Sequence, residues 1–233
     1  MKHTLFLFDI DGTLLTTHGG GQRAMQTAAQ RLFGERFSYE GVEFAGGIDP
    51  QLFSEAAHRS GMTEALAHEA AFRDQYVVEL RSELARAGNI EPMPGIPSLV
   101  ETLRLRMEAD DGVMLGLLSG NYHNAAPLKL DAIGLDARWF PITAFGDDAA
   151  TRPDLPPVAM ARYHRHTGQP ADPRRVVVIG DTPRDVECAR AHDCVPFGVA
   201  TGRSSVADLK AAGAEIAVES LADPSPLLAL IDS

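Results

Sequence analysis

Two aspartates, Asp9 and Asp11, follow a short apolar run near the start of the chain. The run from Leu5 to Phe8 is typical of a strand buried on both faces, whose carboxyl end delivers polar residues to one edge of a sheet. Side chains alternate along a strand, so both carboxylates face the same side, and Gly12 lets the chain turn directly afterwards. Two charges this close require a neutralising cation or a protonated carboxyl. The pair therefore predicts either a carboxyl that takes part in proton transfer or a site that binds a cation. An aspartate-rich turn that caps the strand is the alternative.

A second apolar run, Val113 to Leu118, leads into Ser119, Gly120 and Asn121. If a helix starts there, the Ser119 hydroxyl and the next two backbone N–H groups would form a site for an anion such as phosphate. Ordinary helix capping by Ser119 or Asn121 is the alternative, and the two roles are compatible.

A third apolar run, Val176 to Ile179, precedes Asp181 and Asp185. Magnesium prefers oxygen ligands, so Asp181 could complete a Mg²⁺ site with the Asp9 carboxylate and the Asp11 backbone carbonyl. Asp185 stands at the third position of a predicted helix. It is either a further ligand of the metal or a group that bonds a backbone donor or orients a neighbouring cation.

These strands belong to a longer alternation of strands and helices. Further apolar segments run from Val195 to Ala200 and from Glu215 to Val218, and a helical pattern from Ser205 to Ala212 lies between them. Such alternation predicts an α/β fold with a Rossmann-like parallel sheet and helices on both of its faces.

Residues 16–91 interrupt the alternation and show only helical patterns. Helices are predicted at 22–33, from Asp49 to Gly61 and at 63–87. A glycine run precedes them and a proline-rich segment follows. We therefore predict a core domain of residues 1–15 and 92–233 and an all-helical cap domain of residues 16–91.

Three ordered segments resemble motifs of the haloacid dehalogenase superfamily: FDIDGTL its first, LGLLSGN its second and VVVIGDTPRD its fourth. The helical insert stands where phosphoglycolate phosphatase-like members carry a C1-type cap. The resemblance implies a Mg²⁺-dependent phosphatase with an aspartyl-phosphate intermediate. Asp9 would attack phosphorus, and Asp11 would exchange protons with the leaving group and water. The implied metal site comprises Asp9, Asp11 and Asp181, and the implied phosphate site includes Ser119, Gly120 and Asn121.

The third motif departs from the family's pattern, in which a lysine, often before proline, precedes the helix leading to the fourth motif. The corresponding dipeptide here begins with Arg152. Its rival Lys129 would lie about 12 Å from the second motif on one continuous helix, so we expect it to point away from the phosphate. Arg152 is the predicted phosphate-binding cation, because its planar fork suits phosphate oxygens; a surface loop arginine is the alternative.

The insert offers two further candidates. The segment from Gly46 to Pro50 resembles the loop that contacts substrates in phosphoglycolate phosphatase-like members. Asp49 within it is also a natural N-cap, and we favour the capping role. His18 stands where the mouth of an active site is expected, although a solvated loop position is favoured.

The same residues argue against other reactions that are known in the family. A dehalogenase has no use for Asp11 or Asp181, and a phosphonoacetaldehyde hydrolase needs a cap lysine, which residues 16–91 lack. A phosphomutase of the same architecture stays open, as does a non-catalytic phosphate-binding module.

Composition narrows the class of partner. The 233 residues are 45% hydrophobic and carry a net charge of −11, which disfavours binding to nucleic acid and anionic membranes. No apolar stretch approaches the ~20 residues that span a bilayer. The two cysteines are predicted to be free thiols in the cytoplasm. We expect a monomer or homodimer that acts on a small phosphorylated metabolite; which ester it takes is left open.

Overall fold

A computed structural model describes residues 3–86 and 88–231 and has a parallel sheet at its centre. The strands are β1 (Thr4–Phe8), β2 (Leu15–Thr16), β3 (Glu91–Pro92), β4 (Val113–Leu118), β5 (Ile142–Ala144), β6 (Val176–Gly180), β7 (Val195–Val199) and β8 (Ile216–Val218). The helices are α1 (Gly20–Phe33), α2 (Asp49–Arg59), α3 (Glu69–Leu84), α4 (Ile96–Glu108), α5 (Ala126–Ala132), α6 (Leu155–Thr167), α7 (Pro183–Arg190), α8 (Val206–Ala212) and α9 (Ser225–Leu228).

Within the described residues, six strands form the main sheet in the order β5-β4-β1-β6-β7-β8, and every neighbouring pair is parallel. Alternate side chains of β1 bury on opposite faces: Phe6 and Phe8 pack towards α4 and α5, whereas Leu5 and Leu7 pack towards α6 and α7. Burial on both faces explains why the strands are continuous apolar runs. The predicted α/β fold, a Rossmann-like parallel sheet with helices on both faces, is confirmed.

The strands predicted from apolar runs are all present, with ends within one residue of the prediction. The sequence did not reveal β5, which has three residues at the edge of the sheet, or the antiparallel pair of β2 and β3. Segments of two or three residues are too short to show a periodic pattern.

Helices α1 to α3 and the segments that join them, here called the helical insert, lie between β2 and β3 and share their own hydrophobic cluster. Phe53 of α2 and Phe72 of α3 stack at its centre, with ring centroids 4.3 Å apart. The helix predicted over 63–87 is divided: a 3₁₀ segment, Thr63–His68, precedes α3, and the predicted end at Ala87 lies outside the described residues. The domain division at residues 15/16 and 91/92 stays a prediction.

The order of the strands explains where a ligand can bind. The chain continues from β1 to β4 on one side and later to β6 on the other, so β1 lies at a topological switch point. In open parallel sheets, ligands bind in the crevice outside the carboxyl ends of the strands at such a point. The residues that follow β1, β4 and β6 are the acidic and polar residues selected from the sequence.

The cysteines and the helices bear on two further expectations from the sequence. Both cysteines, Cys188 and Cys194, are free and buried. Within residues 3–86 and 88–231, no helix has the length and apolar character needed to cross a bilayer.

Candidate active site

A cavity of about 760 Å³ opens between the carboxyl edge of the sheet and the helical insert. Its wall includes seven of the eight site residues predicted from the sequence: Asp9, Asp11, Ser119, Gly120, Asn121, Arg152 and Asp181. The eighth, Asp185, is buried behind this wall. Residues from four separate parts of the sequence therefore meet at one place.

The turn after β1 lies directly against Asp181. The Asp9 N–H donates to Ile179 O at 2.9 Å, which ties the end of β1 to β6. Gly12 has a φ of 81°, and a Cβ at this position would lie 2.5 Å from Asp181 Oδ2. Only glycine combines this left-handed conformation with such a close approach, so Gly12 allows the segment bearing Asp11 to turn against Asp181.

The acids form a cluster suited to a hard cation. One carboxylate oxygen each of Asp9, Asp181 and Asp185 lies within 4.8 Å of the others. Burial raises the pKa of Asp181 above its usual value, and repulsion from Asp185 and Asp9 raises it further. Burial also raises the pKa of Asp9, an effect that Arg152 opposes. Clustered oxygen ligands whose charges repel one another favour a divalent cation such as Mg²⁺.

Arg152 lies inside the site. Its side chain is 5% exposed, and Nη2 lies 3.1 Å from Asp9 Oδ2 and hydrogen-bonds Asp185 Oδ1. The other oxygen of Asp185 accepts hydrogen bonds from the Thr182 backbone N–H at 3.0 Å and hydroxyl at 2.7 Å. The surface-loop alternative for Arg152 is therefore wrong. Asp185 forms the predicted capping box of α7 and also orients a cation.

The loop after β4 differs from the prediction. No helix starts at Gly120 or Asn121; α5 begins at Ala126. The Asn121 side-chain N–H₂ donates to Asp11 Oδ2 at 2.8 Å and to Ser119 Oγ at 2.9 Å. The predicted helix start at Gly120 and Asn121 is wrong, because a turn follows β4 and α5 starts five residues after Asn121. The phosphate-binding role of these residues stays a prediction. Ser119 and Asn121 still line the cavity.

Lys129 contradicts the expectation that it points away from the site. Its ammonium donates to Asp11 Oδ2 at 2.5 Å, and it lines the same cavity. The expectation assumed one straight helix from Asn121, whereas the chain turns before α5 and Lys129 lies in the last turn of that short helix. The one available signal was a lysine between leucines in an otherwise apolar segment.

Asp49 also departs from its expected role. The N-cap of α2 is Ile48, and the Asp49 side chain makes no capping hydrogen bond. Instead, Asp49 Oδ2 accepts a hydrogen bond from the Tyr122 N–H at 2.9 Å. Burial raises the pKa of Asp49 to about 7, although Lys129 acts to lower it. The carboxylate thus connects the helical insert to the loop after β4.

The backbones of the helical insert and of the loop after β4 are also in direct contact. The Asp49 N–H donates to Gly120 O at 2.8 Å, and Arg152 Nη1 donates to Gly47 O at 3.4 Å. A Cβ at Gly120 would lie 1.9 Å from Gly47 O, so no side chain fits there. The segment predicted to contact substrate, 46–50, lies directly over the loop after β4.

Sequence reasoning missed the aromatic part of the cavity. Tyr39 and Tyr76 of the insert line it, and the Tyr39 hydroxyl is buried with no hydrogen-bond partner among the described residues. Their spacing resembled that of ordinary core residues, so nothing in the sequence distinguished them. His18 lies 3.1 Å from Glu91 Oε1 with half of its side chain exposed, in agreement with the favoured loop position.

Comparison with protein families adds an independent observation. The model of one family, described as haloacid dehalogenase-like hydrolase, matches residues 3–193. The match includes β1, the helical insert, β4 and β6, and thus every residue of the site described above.

Individual proteins show the same likeness. The "Probable phosphatase IndB" of Dickeya dadantii (strain 3937) is 26% identical over an alignment of 233 positions, which covers 94% of this chain and 90% of that protein. The crystal structure of CbbY from Rhodobacter sphaeroides in complex with phosphate superposes with a TM-score of 0.67, 22% identity and full coverage of both chains. A β-phosphoglucomutase from Clostridium difficile gives a TM-score of 0.68 at 15% identity, covering 99% of this chain and 97% of its own. The two structures establish a shared fold.

Proposed function

The chain belongs to the haloacid dehalogenase-like hydrolases, and from this premise we propose that it is a Mg²⁺-dependent phosphatase of small phosphate monoesters. One observation carries the proposal: the buried Asp9 carboxylate lies 3.1 Å from the Arg152 guanidinium. A carboxylate that attacks a phosphate dianion meets strong repulsion, and a fixed cation beside it reduces that repulsion.

In the proposed reaction, a carboxylate oxygen of Asp9 attacks phosphorus in line with the departing ester oxygen. Arg152, Ser119 and the backbone of Gly120 would contact the equatorial phosphate oxygens. The bond from phosphorus to the ester oxygen breaks as the bond to Asp9 forms, which produces an aspartyl-phosphate. Water then hydrolyses this intermediate and regenerates Asp9.

Asp11 would serve both steps. It protonates the departing alkoxide in the first step and takes a proton from the attacking water in the second. Its side chain is 40% exposed and faces the cavity, so substrate and water can reach it.

The acidic cluster fits the metal that the family resemblance implies. Asp9 and Asp181 would hold Mg²⁺ through carboxylate oxygens, and Asp11 through its backbone carbonyl. Asp185 is a weaker candidate, because both of its oxygens already accept hydrogen bonds from Arg152 or Thr182. When bound, the cation neutralises charge on the phosphate oxygens during the transfer.

The helical insert would act as a cap that closes the site and selects the leaving group. The contact of Gly47 with Gly120 supports this role, since it brings the insert over the phosphate-binding loop. A cavity of about 760 Å³ suits a small metabolite such as phosphoglycolate, a sugar phosphate or a nucleoside monophosphate.

Release of inorganic phosphate from these three classes of ester, with Mg²⁺ and again with EDTA, tests the proposal. We expect hydrolysis of at least one ester with Mg²⁺, loss of activity with EDTA and no turnover by Asp9→Asn. If no ester is hydrolysed with Mg²⁺, or if Asp9→Asn is fully active, the proposed function is wrong.

Analysis of the ester that remains, with and without added bisphosphate, separates the two alternatives. A phosphomutase would convert a sugar phosphate into its isomer in the presence of the corresponding bisphosphate, and would release little inorganic phosphate. A non-catalytic phosphate-binding module would bind an ester and return it unchanged.

A further inference from the structure

Lys129 is an unusual residue to find within a helix of the core. Its side chain is only 4% exposed, and its ammonium lies 2.5 Å from Asp11 Oδ2. A buried ammonium loses its hydration and is tolerated only where a partner compensates. Here the partner is Asp11, the general acid and base of the proposed reaction. The buried ammonium is therefore in a position to influence catalysis.

Asp11 is held at one oxygen by two donors. Lys129 and the side chain of Asn121 both donate to Oδ2, and the Asn121 distance is 2.8 Å. Asn121 is fixed in turn by its hydrogen bond to Ser119 Oγ at 2.9 Å. Among the described residues, no group donates a hydrogen bond to Asp11 Oδ1, so this oxygen is free for a reacting group in the cavity.

The position of Lys129 separates it from the phosphate-binding side of the site. A Cβ at Gly21 of α1 would lie 3.6 Å from Lys129 Nζ, so the ammonium faces the helical insert. The charge of Lys129 also acts on Asp49 of the insert. Arg152, in contrast, lies beside Asp9. Lys129 therefore pairs with Asp11, whereas Arg152 pairs with Asp9.

We propose that Lys129 is a positioning residue for Asp11, an inference that rests on the proposed phosphatase function. With Asn121, it fixes the carboxyl group so that Oδ1 meets the ester oxygen of the substrate. Asp11 then gives its proton to this oxygen as the P–O bond breaks, and it takes a proton from water as that water attacks the aspartyl-phosphate. Lys129 itself neither gives nor takes a proton. A general acid must lie within about 2.6–3.2 Å of the atom it serves, so loss of orientation slows the reaction.

A double-mutant cycle tests this role directly. The variants are Lys129→Met, Asp11→Asn and the combination of both, and Lys210→Met, which removes an exposed lysine of α8, is the matched control. Each variant is assayed with the best alkyl phosphate and with p-nitrophenyl phosphate. Formation of p-nitrophenol in the first turnover measures the first step with a leaving group that needs no proton.

We expect Lys129→Met to lower kcat about 100-fold on the alkyl phosphate, within the range of general acid–base catalysis, and to change KM less than about threefold. The first turnover of p-nitrophenyl phosphate should slow less than about fivefold, because no acid is needed. On the Asp11→Asn background, Lys129→Met should add less than about a threefold loss, because coupled residues are not additive. Lys210→Met should behave as the unmodified protein.

Three results would overturn the inference. An additional 100-fold loss on the Asp11→Asn background would show that Lys129 acts independently of Asp11. If Lys129→Met slowed the first turnover equally with both esters, Lys129 would act on the phosphate group and not on protonation of the leaving group. A raised KM with unchanged kcat would make Lys129 a substrate-binding residue.

Two checks keep the test decisive. Circular dichroism verifies folding, and Lys129→Gln, which keeps a donor without the charge, repeats the cycle if the methionine variant is unfolded. An Asp9→Asn variant with full activity would instead contradict the proposed function, so the two failures are distinguishable.

Discussion

Arg152 and Asp185 form a buried ion pair behind the carboxylate of Asp9. The pair joins a loop preceding α6 to the first turn of α7, and the same guanidinium reaches Asp9 Oδ2 at 3.1 Å. The two acids hold the positive charge in place, so the cation is already oriented before a phosphate arrives. This geometry gives Arg152 a part in both stability and the proposed catalysis.

Replacing Arg152 with alanine should therefore reduce both properties. The variant leaves Asp185 buried without its cation, which costs about 3–5 kcal/mol in the free energy of unfolding. The kcat on a phosphate ester should fall at least about 100-fold. Urea titration and phosphate release measure the two effects. Arg138→Ala, which removes an exposed arginine paired with Asp136, is the control and should change stability by less than about 1 kcal/mol. An unchanged stability in Arg152→Ala would contradict the buried pair.

Magnesium should stabilise the protein, and more so at high pH. The folded protein holds protons on Asp9 and Asp181 more tightly than the unfolded chain does, because burial raises both pKa values. Without metal, stability therefore falls as pH rises and these protons leave. Bound Mg²⁺ offsets the resulting repulsion, so its effect on Tm should be larger at pH 8 than at pH 6.

Scanning fluorimetry with and without Mg²⁺ at the two pH values measures this effect. Asp181→Asn should lose most of the Mg²⁺-dependent rise in Tm, whereas Asp131→Asn, at an exposed position of α5, should keep it. An equal rise in all three proteins at both pH values would show that the cation binds elsewhere.

Asp49→Asn should make the protein more stable at pH 8. Burial raises the pKa of Asp49 to about 7 from an ordinary value of 3.8, so ionisation of the folded form costs free energy as pH rises between these values. Asparagine removes that cost and its oxygen can still accept the Tyr122 N–H. We expect a gain of about 1–4 kcal/mol in the free energy of unfolding at pH 8, from about 1.4 kcal/mol per pKa unit, and little gain at pH 4.

Urea titrations at the two pH values check this expectation. Asp74→Asn is the matched control in the same insert, because Asp74 is exposed on α3 and its replacement should leave the pH dependence unchanged. If Asp49→Asn is less stable than the unmodified protein at pH 8, the charge of Asp49 is compensated in the folded state.

Local pattern was sufficient for much of the fold and for the acids. A strand buried on both faces must be apolar throughout, so β1, β4 and β6 were visible in the sequence together with the residues that end them. The capping box of Thr182 and Asp185 was equally visible, because its partners are three residues apart. These features depend on neighbours along the chain.

Lys129 and Asp49 show what local pattern does not contain. Lys129 and Asp11 are 118 residues apart, and Asp49 and Tyr122 are 73 apart. A lysine is ordinarily solvated and an aspartate before a proline ordinarily caps a helix, so the prior expectation was wrong for both. Their contacts depend on where α5 begins and on how the insert packs over the loop after β4.

The sequence by itself determined that Asp9, Asp11 and Asp181 follow buried parallel strands, and hence that they meet at one edge of the sheet. The tertiary structure alone decided which cation serves which acid: Arg152 lies with Asp9 and Asp185, and Lys129 lies with Asp11. The physical reason is that a charge finds its partner through the packing of distant segments, and burial makes that pairing obligatory only after the chain has folded.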